Sequence, residues 1–293
     1  MKNFCQAKNF WLEFLFAKKY NCVGDEEMLE EKFKNLKNIL ESCQSVAIAF
    51  SGGVDSTFLL KVANDVLGEN AVAITAVSEF FPTREIEEAK KFCEREKIRQ
   101  IILQEKILSV ENISDNPTNR CYLCKKNLFS KILSLAEKNK ISCVAEGSNI
   151  DDTGDYRPGM KAIEELKIKS PLREAKLFKS EIRELSKKLN LPTADKPSFA
   201  CLASRFVYGE KITAEKLYRV ECAEEILREK NFKQFRVRLH ENLARIEILP
   251  TDFEKILSVR EEISEKFKNL GFDYVSLDLQ GYRTGSMNAV LKK

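Results

Sequence analysis

The sequence VAIAFSGGVDS, residues 46–56, joins a continuous apolar run to a turn with two adjacent glycines. The apolar run predicts a buried strand, and the residues from about Ser56 predict the start of a helix. Two glycines let the backbone take positive φ and approach a ligand closely. The amides of such a turn and of the helix behind it point to one place, which favours an anion. We therefore predict a phosphate-binding loop made of Ser51, Gly52, Gly53 and Ser56, with Asp55 as a candidate magnesium ligand.

This loop differs from the phosphate loop of the Gly-x-x-x-x-Gly-Lys-Ser/Thr type, because no lysine follows its second glycine. The plainer alternative is an ordinary junction between a strand and a helix. The context favours the phosphate loop, because the run sits directly between a predicted buried strand and a predicted helix.

The first two-thirds of the chain alternates between strands and helices. Apolar runs predict strands at residues 45–50, 71–76, 100–103 and 142–146, and amphipathic patterns predict helices at 57–67, 82–97 and 125–139. This alternation is typical of the α/β class, with a doubly wound parallel sheet. Such sheets bind ligands beyond the carboxyl ends of their strands. The glycine loop lies at such an end, and so does Gly147, which we add to the candidate binding residues.

The pattern changes after about Phe206. It predicts a helix at 213–230, paired strands at 235–239 and 244–249, a helix at 252–270 and a strand at 274–279, which together form a smaller C-terminal α+β domain. We therefore divide the chain into an N-terminal extension (1–24), an α/β domain (25–206) and a C-terminal domain (207–293).

Composition excludes several classes of protein. A net charge of +4 over 293 residues does not indicate a nucleic-acid partner, and no apolar stretch is long enough to cross a bilayer. The odd number of cysteines, 9, argues against a disulfide scaffold, and the single histidine excludes a multi-histidine zinc site. We expect a cytoplasmic protein without a membrane partner.

Three cysteines stand in polar surroundings that differ from those of core cysteines. Cys121 and Cys124 form a Cys-x-x-Cys pair before the helix predicted from residue 125, and Cys201 follows much later. Thiols close to a helix N-terminus and to basic residues are expected to be acidic and reactive. Three soft ligands without a fourth fit an iron–sulfur cluster with one open iron, whereas structural zinc normally takes four. The alternatives are a thioredoxin-like dithiol and ordinary core cysteines. The core-cysteine interpretation fits Cys43, Cys93, Cys143 and Cys222.

Several charged residues complete the candidate site. Arg236 and Arg238, two apart on one strand face, are candidates to clamp a phosphate, and a solvated strand face is the alternative. Arg205 is a candidate to approach the substrate or the cluster. Glu224 and Glu247 are candidate ligands of a divalent metal, although carboxylates in helices and strands are usually solvated. Asp151, Asp152 and Asp155 are expected at the nucleotide or in turns.

The loop at residues 51–56 resembles the pyrophosphate loop of the PP-loop ATP pyrophosphatases, which cleave ATP between its α and β phosphates. Together with the Cys-x-x-Cys pair and the segment Ala200-Cys201-Leu202-Ala203-Ser204-Arg205, it resembles the LarE family of ATP-dependent sulfur transferases. The resemblance covers most of the chain. It extends to Gly147-Ser148-Asn149-x-Asp151-Asp152, Asp155-Tyr156-Arg157-Pro158-Gly159, Arg236-Val237-Arg238 and Ala244-Arg245-Ile246-Glu247.

The resemblance implies an adenine nucleotide alpha hydrolase-like fold and a definite reaction. ATP adenylates a carboxylate of pyridinium-3,5-dicarboxylate mononucleotide, sulfur then replaces AMP, and the cycle repeats on the second carboxylate. Some family members take the sulfur from one cysteine at the position of Cys201, whereas others hold a 4Fe-4S cluster on three cysteines. Cys121, Cys124 and Cys201 place this chain with the second group, with Arg205 beside them. The family often forms homo-oligomers, and the C-terminal domain is the natural interface.

Three other functions compete with this one. A PP-loop tRNA thiolase can use the same three-cysteine cluster, but the chain shows no zinc-ribbon cysteines and no strongly basic domain. An amidating synthetase would use ammonia on the adenylated intermediate and would need no cysteine triad. A non-enzymatic nucleotide- or metal-binding protein would bind nucleotide and release no pyrophosphate.

Overall fold

The computed structural model describes residues 26–153, 158–198 and 200–288, so the N-terminal extension and Asp155 lie outside the described residues. The elements follow in chain order: α1 (26–41), β1 (Val46–Ala49), α2 (Val54–Leu67), β2 (Ala71–Val77), α3 (Thr83–Glu96), β3 (Arg99–Gln104), α4 (Arg120–Lys138), β4 (Cys143–Ala145), α5 (Gly159–Glu165), α6 (Pro171–Glu174), α7 (Lys179–Lys188), α8 (Ala214–Glu229), β5 (Phe235–His240), β6 (Leu243–Ile248), α9 (Phe253–Ser258), α10 (Arg260–Asn269) and β7 (Tyr274–Leu277). None of these helices is both long and apolar enough to span a membrane.

The larger sheet is parallel and covered on both faces. Its four strands lie in the order β3-β2-β1-β4, and each neighbouring pair is parallel. Side chains alternate across the central strand β1: Val46 and Ile48 pack with the helices of one face, and Ala47 packs with α4 and α5 on the other. A strand that is buried on both faces has a continuous run of apolar residues in its sequence, as β1 does. The predicted doubly wound α/β sheet is therefore confirmed.

Two helices begin earlier than their predicted starts, and both shifts matter for the site. Helix α2 begins at Val54, directly after the glycines. Helix α4 begins at Arg120, so Cys121 and Cys124 lie in its first turns and do not precede it. The physical reason is that residues 120–124 contain neither glycine nor proline, so the helix extends back to Arg120, three residues after Pro117.

The smaller sheet contains β5, β6 and β7 in that order. Strands β5 and β6 are paired, as predicted; the pair is antiparallel, and β7 runs parallel to β6. The helix predicted at 252–270 is divided into α9 and α10 at Val259. Phe206 forms an isolated parallel bridge with Leu239 of β5, so the segment after Cys201 runs along the edge of this sheet. A separate C-terminal sheet is therefore present, while the exact domain bounds stay a prediction.

Candidate functional site

The glycine loop has the geometry that close approach to an anion requires. Gly52 has φ +70°, and a Cβ there would lie 3.3 Å from both Ala89 Cβ and the Glu85 carbonyl oxygen. The hydroxyls of Ser51 and Ser56 lie 3.1 Å apart across the turn. Helix α2 begins without a side-chain cap, so the first amides of the helix face the loop. This is the arrangement in which a helix N-terminus binds phosphate.

Two lysines that the sequence did not single out contact this loop. Lys179, the first residue of α7, forms an ion pair with Asp55, which also accepts a hydrogen bond of 3.2 Å from Asn149 Nδ2. Lys196 donates to the Gly52 carbonyl at 3.0 Å and to Glu85 at 2.5 Å. Both lysines come from distant parts of the chain and stand in no motif, so no local sequence signal marks them.

The carboxyl end of β4 packs directly on the glycine loop. A Cβ on Gly147 would lie 3.1 Å from the Ser56 amide nitrogen, so only glycine fits here without displacement. The preceding residue, Glu146, accepts hydrogen bonds of 2.7 Å from the hydroxyls of Ser148 and Ser170. Lys125 Nζ of α4 lies 3.9 Å from Glu146. One edge of the sheet thus connects the loop to the helix that carries Cys121 and Cys124.

We expect Gly147→Ala to raise the KM for ATP about tenfold, because the added methyl pushes on the Ser56 amide that faces the loop. The measurement is ATP–pyrophosphate exchange. Asp65→Ala is the control, since Asp65 pairs with Lys61 near the other end of α2, away from the loop. A wild-type KM in the Gly147 variant would contradict the assignment of Gly147 to the nucleotide site.

The three candidate cysteines are neighbours. Cys121 and Cys124 lie three residues apart on α4, and Cys201 directly precedes the short 3-10 helix Leu202–Arg205. Burial raises the pKa of Cys121, and repulsion from Cys201 adds to it. Burial, with repulsion from Cys201 and Cys121, raises the pKa of Cys124 to about 12. The expectation that these two thiols are acidic is therefore wrong, because burial outweighs the attraction of Arg120 and Lys125.

The neighbouring thiols do not form a closed metal-ligand group. Within the described ranges, no set of three or more His, Cys, Asp or Glu side chains has the spacing that holds a metal ion. Cys121, Cys124 and Cys201 are free thiols, as are Cys43, Cys93, Cys143 and Cys222. The three thiols are therefore close enough for the charge of one to shift the pKa of another. They are not close enough to bind one metal ion together.

Alkylation provides a test of the pKa of Cys124. At about pH 8 a thiol of pKa about 12 is about 10⁻⁴ thiolate, against roughly a quarter for an ordinary thiol. We expect iodoacetamide to modify Cys124 at least about 100-fold more slowly than free cysteine, with a rate that still rises above pH 10 because the raised pKa keeps the thiol protonated until then. Peptide mass spectrometry measures the rate, and modification as fast as that of free cysteine would contradict this environment.

Arg205 is a buried positioning residue of the Cys201 segment. Its guanidinium forms a bidentate pair with Glu224, both hydrogen bonds being 2.8 Å long, and the Arg205 side chain is fully buried. It also donates to the carbonyls of Ala200 at 2.8 Å and Cys201 at 3.2 Å. The expected approach of Arg205 to substrate is thus corrected: its donors face the protein. Glu224 is corrected as a metal candidate too, because its oxygens accept from Arg205 and the Val237 amide.

The arginines of β5 hold the same segment from the other side. Arg236 donates to the Ser198 carbonyl and Arg238 to the Ser204 carbonyl, both at 2.6 Å. Both arginines are buried, which excludes the solvated strand face. Burial, with repulsion from Arg205, lowers the pKa of Arg236 to about 10. Within the described residues, Arg238 Nε is a buried donor without a hydrogen-bond partner.

Glu247 neutralises part of this arginine group. It is fully buried and accepts from Arg238 at 2.9 Å and from Arg245 at 3.1 Å, with Ser286 beside it. As with Glu224, its position as an arginine partner corrects the expectation that it lines a metal site. Removal of a buried carboxylate of this kind would leave uncompensated positive charge.

Comparison with known proteins gives one matching family and three relatives of decreasing identity. The chain matches the NAD synthase family over residues 26–147. It is 45% identical over 268 residues to an uncharacterised protein of Synechocystis sp., covering 91% of this chain and 100% of that protein. It is 37% identical over 268 residues to the pyridinium-3,5-bisthiocarboxylic acid mononucleotide synthase of Lactiplantibacillus plantarum, covering 90% of this chain and 96% of the synthase. It is 25% identical over 211 residues to one of the subunits of the glutamine-hydrolysing GMP synthase of Thermoplasma volcanium, covering 67% of this chain and 66% of that protein.

Proposed function

The chain belongs to the LarE family of PP-loop proteins, and from that premise we propose that it is an ATP-dependent sulfur transferase that converts the carboxylates of pyridinium-3,5-dicarboxylate mononucleotide into thiocarboxylates. The observation that carries the proposal is the continuity of one sheet edge. The glycine loop packs on Gly147. The residue before Gly147 is Glu146, which pairs with Lys125 on α4, the helix that carries Cys121 and Cys124. These contacts support a nucleotide-activating loop and a sulfur site that lie beside each other along one sheet edge.

The glycine loop is our candidate for holding ATP. The amides at the start of α2 and the hydroxyls of Ser51 and Ser56 bind the β and γ phosphates, while Gly52 and Gly53 leave room for them. Asp55 is the candidate ligand for the magnesium ion that accompanies ATP, because its carboxylate is part of the loop and is partly exposed. Lys179 and Lys196 supply positive charge next to the phosphates.

The reaction then has two steps for each carboxylate. A carboxylate oxygen of the substrate attacks the α phosphorus of ATP, and the bond to the β phosphate breaks to release pyrophosphate. A sulfur nucleophile held at the Cys201 site next attacks the acyl carbon, a carbon–sulfur bond forms, and AMP leaves with the carboxylate oxygen. Adenylation is required because a free carboxylate has no good leaving group.

The arginines of β5 are our candidates for the 5′-phosphate of the substrate. Arg238 Nε is a buried donor that an incoming phosphate oxygen would satisfy, within the part of the chain described. The low pKa of Arg236 reflects burial and crowding of positive charge, which a phosphate dianion would relieve. These contacts would fix the pyridinium ring between the loop and Cys201.

Cys121, Cys124 and Cys201 are the residues that would hold a 4Fe-4S cluster. Three neighbouring thiols are the soft ligands that such a cluster takes, but the described residues do not bring them to ligand distance of a common point, so cluster binding would require the three thiols to move closer together. When bound, the cluster would supply an iron with a free position on which sulfide is carried. The protein's own contribution is to fix Cys201 through Arg205, Arg236 and Arg238.

Pyrophosphate release tests the function and iron analysis tests the cluster. We expect release from ATP that depends on the pyridinium dicarboxylate and does not respond to tRNA. Release that depends on tRNA would instead support the thiolase. After anaerobic purification we expect about four irons per chain, lost in Cys201→Ala. No iron, together with conversion of Cys201 to dehydroalanine during turnover, would replace the cluster with direct transfer from this cysteine.

A cytoplasmic location and a homo-oligomer built through the C-terminal domain also remain predictions. Light scattering of the purified chain measures the second. The proposed reaction depends on neither the location nor the oligomeric state, because all the groups assigned to it come from one chain.

A further inference from the structure

Arg120, the first residue of α4, connects the two parts of the cysteine site. It is 1% exposed. Its guanidinium donates to the side-chain oxygen of Asn116 and, at 2.9 Å, to the carbonyl of Ala203. Its other terminal nitrogen lies 3.8 Å from Sγ of Cys121. One side chain therefore contacts a thiol of the Cys-x-x-Cys pair and the 3-10 helix that follows Cys201.

Asn116 extends this connection to the chain beyond Cys201. It is fully buried, and its φ of +52° lies in the left-handed region that asparagine tolerates. Its side-chain nitrogen donates to the Val207 carbonyl at 2.6 Å, and its own carbonyl accepts from the Gly209 amide at 2.9 Å. Arg120 and Asn116 together hold the 3-10 helix and the residues after it against the start of α4.

The chemistry of Arg120 indicates a positioning role. In the described part of the chain it forms no ion pair, and its partners are an amide oxygen, a carbonyl oxygen and a thiol. A buried guanidinium without a carboxylate is unfavourable compared with an apolar side chain of similar size. What a guanidinium adds is a rigid planar fork that reaches several acceptors at fixed angles. The fork of Arg120 contacts both Cys121 and the carbonyl of Ala203 in the 3-10 helix, which a leucine side chain would not do.

We propose that Arg120 and Asn116 are positioning residues that set the separation of Cys121 and Cys124 from Cys201. Their role in sulfur delivery rests on the proposed function, whereas their effect on the distance between the thiols does not. Their hydrogen bonds described above go to the cysteine segments and not to the glycine loop. Loss of this connection therefore separates the thiols and leaves adenylation in place.

Disulfide formation by diamide measures the separation. Diamide takes one hydrogen from each of two thiols and becomes a hydrazine, so a disulfide forms only between thiols that can meet. The full chain is purified reduced and treated with chelator, and peptide mass spectrometry follows the linkage of Cys201 to Cys121 or Cys124. We expect the rate to fall at least about tenfold in Arg120→Gln and less in Arg120→Lys, which keeps the charge but not the fork.

Asn116→Gly is the second variant, because glycine keeps the positive φ and removes the amide. We expect the same fall in rate, and no further fall in the double variant, since both residues act through one connection. Arg99→Gln is the matched control: Arg99 bonds the Asn139 side chain at the opposite end of α4.

A folded Arg120→Gln protein that links its thiols at the wild-type rate overturns the proposal. If that variant does not fold, a wild-type rate in Asn116→Gly overturns it equally. A second measurement separates a positioning role from a general effect on stability. We expect Arg120→Gln to keep substrate-dependent pyrophosphate release and to lose thiocarboxylate formation. Loss of both activities in a folded variant contradicts the inference. Failure of the wild-type chain to release pyrophosphate would refute the proposed function and leave the linkage result standing.

Discussion

Replacement of Cys201 by alanine is expected to reduce thiocarboxylate formation at least about 1,000-fold, while substrate-dependent ATP–pyrophosphate exchange stays within a few-fold of the wild type. The reason is the division of the site. In the proposed mechanism adenylation uses the glycine loop and Gly147, and the contacts described for them do not involve Cys201. In the same proposal, sulfur transfer requires the nucleophile that Cys201 provides or holds. Chromatography of the product and exchange of labelled pyrophosphate measure the two steps separately.

Cys222→Ala is the control, since this half-buried thiol lies on α8, outside the cysteine site. A Cys201→Ala protein that still forms thiocarboxylate at the wild-type rate would remove Cys201 from the mechanism. Formation of an amide when ammonia is supplied, with no dependence on Cys201, would support the amidating synthetase.

Loss of Arg205 is expected to lower the free energy of unfolding by about 3–5 kcal/mol, because Arg205→Ala leaves Glu224 charged, buried and without its bidentate partner. The double variant Arg205→Met with Glu224→Met should recover most of this stability, since two apolar side chains of similar length replace the pair. It should not recover sulfur transfer, because the carbonyls of Ala200 and Cys201 lose their donor. Urea denaturation of the reduced chain gives the unfolding free energies.

Arg84→Ala is the matched control, because Arg84 forms an exposed pair with Glu88 and its loss should cost less than about 1 kcal/mol. If Arg205→Ala and Arg84→Ala lowered the free energy of unfolding equally, burial of the Arg205–Glu224 pair would not determine how much that pair contributes to stability. Full activity in the double methionine variant would mean that Arg205 does not position Cys201.

The parallel sheet was predictable because its information is local. Each strand is a short apolar run, and the glycine loop follows the first of them, so no distant partner is needed to recognise either. The start of α4 was less predictable. Cysteine and tyrosine are weak helix formers, and the packing that extends the helix back to Arg120 is not visible in the segment itself.

The roles of the buried charges were not predictable, because their partners are distant in sequence. Lys179 meets Asp55 across 124 positions and Arg120 meets Ala203 across 83. A carboxylate such as Glu224 has the same sequence appearance whether it binds a metal or an arginine, and only the fold brings Arg205 to it. The pKa values of Cys121 and Cys124 follow the same rule: neighbouring cations suggested acidity, but the degree of burial decided the direction.

The most direct test of the central claim is product analysis under anaerobic conditions. The wild-type chain is incubated with magnesium ATP, sulfide and pyridinium-3,5-dicarboxylate mononucleotide, and mass spectrometry follows the substrate while pyrophosphate is counted. We predict replacement of oxygen by sulfur in the carboxylates, with one pyrophosphate and one AMP released for each sulfur gained. Pyrophosphate release without sulfur in the product, or no release with this substrate, would contradict the assignment.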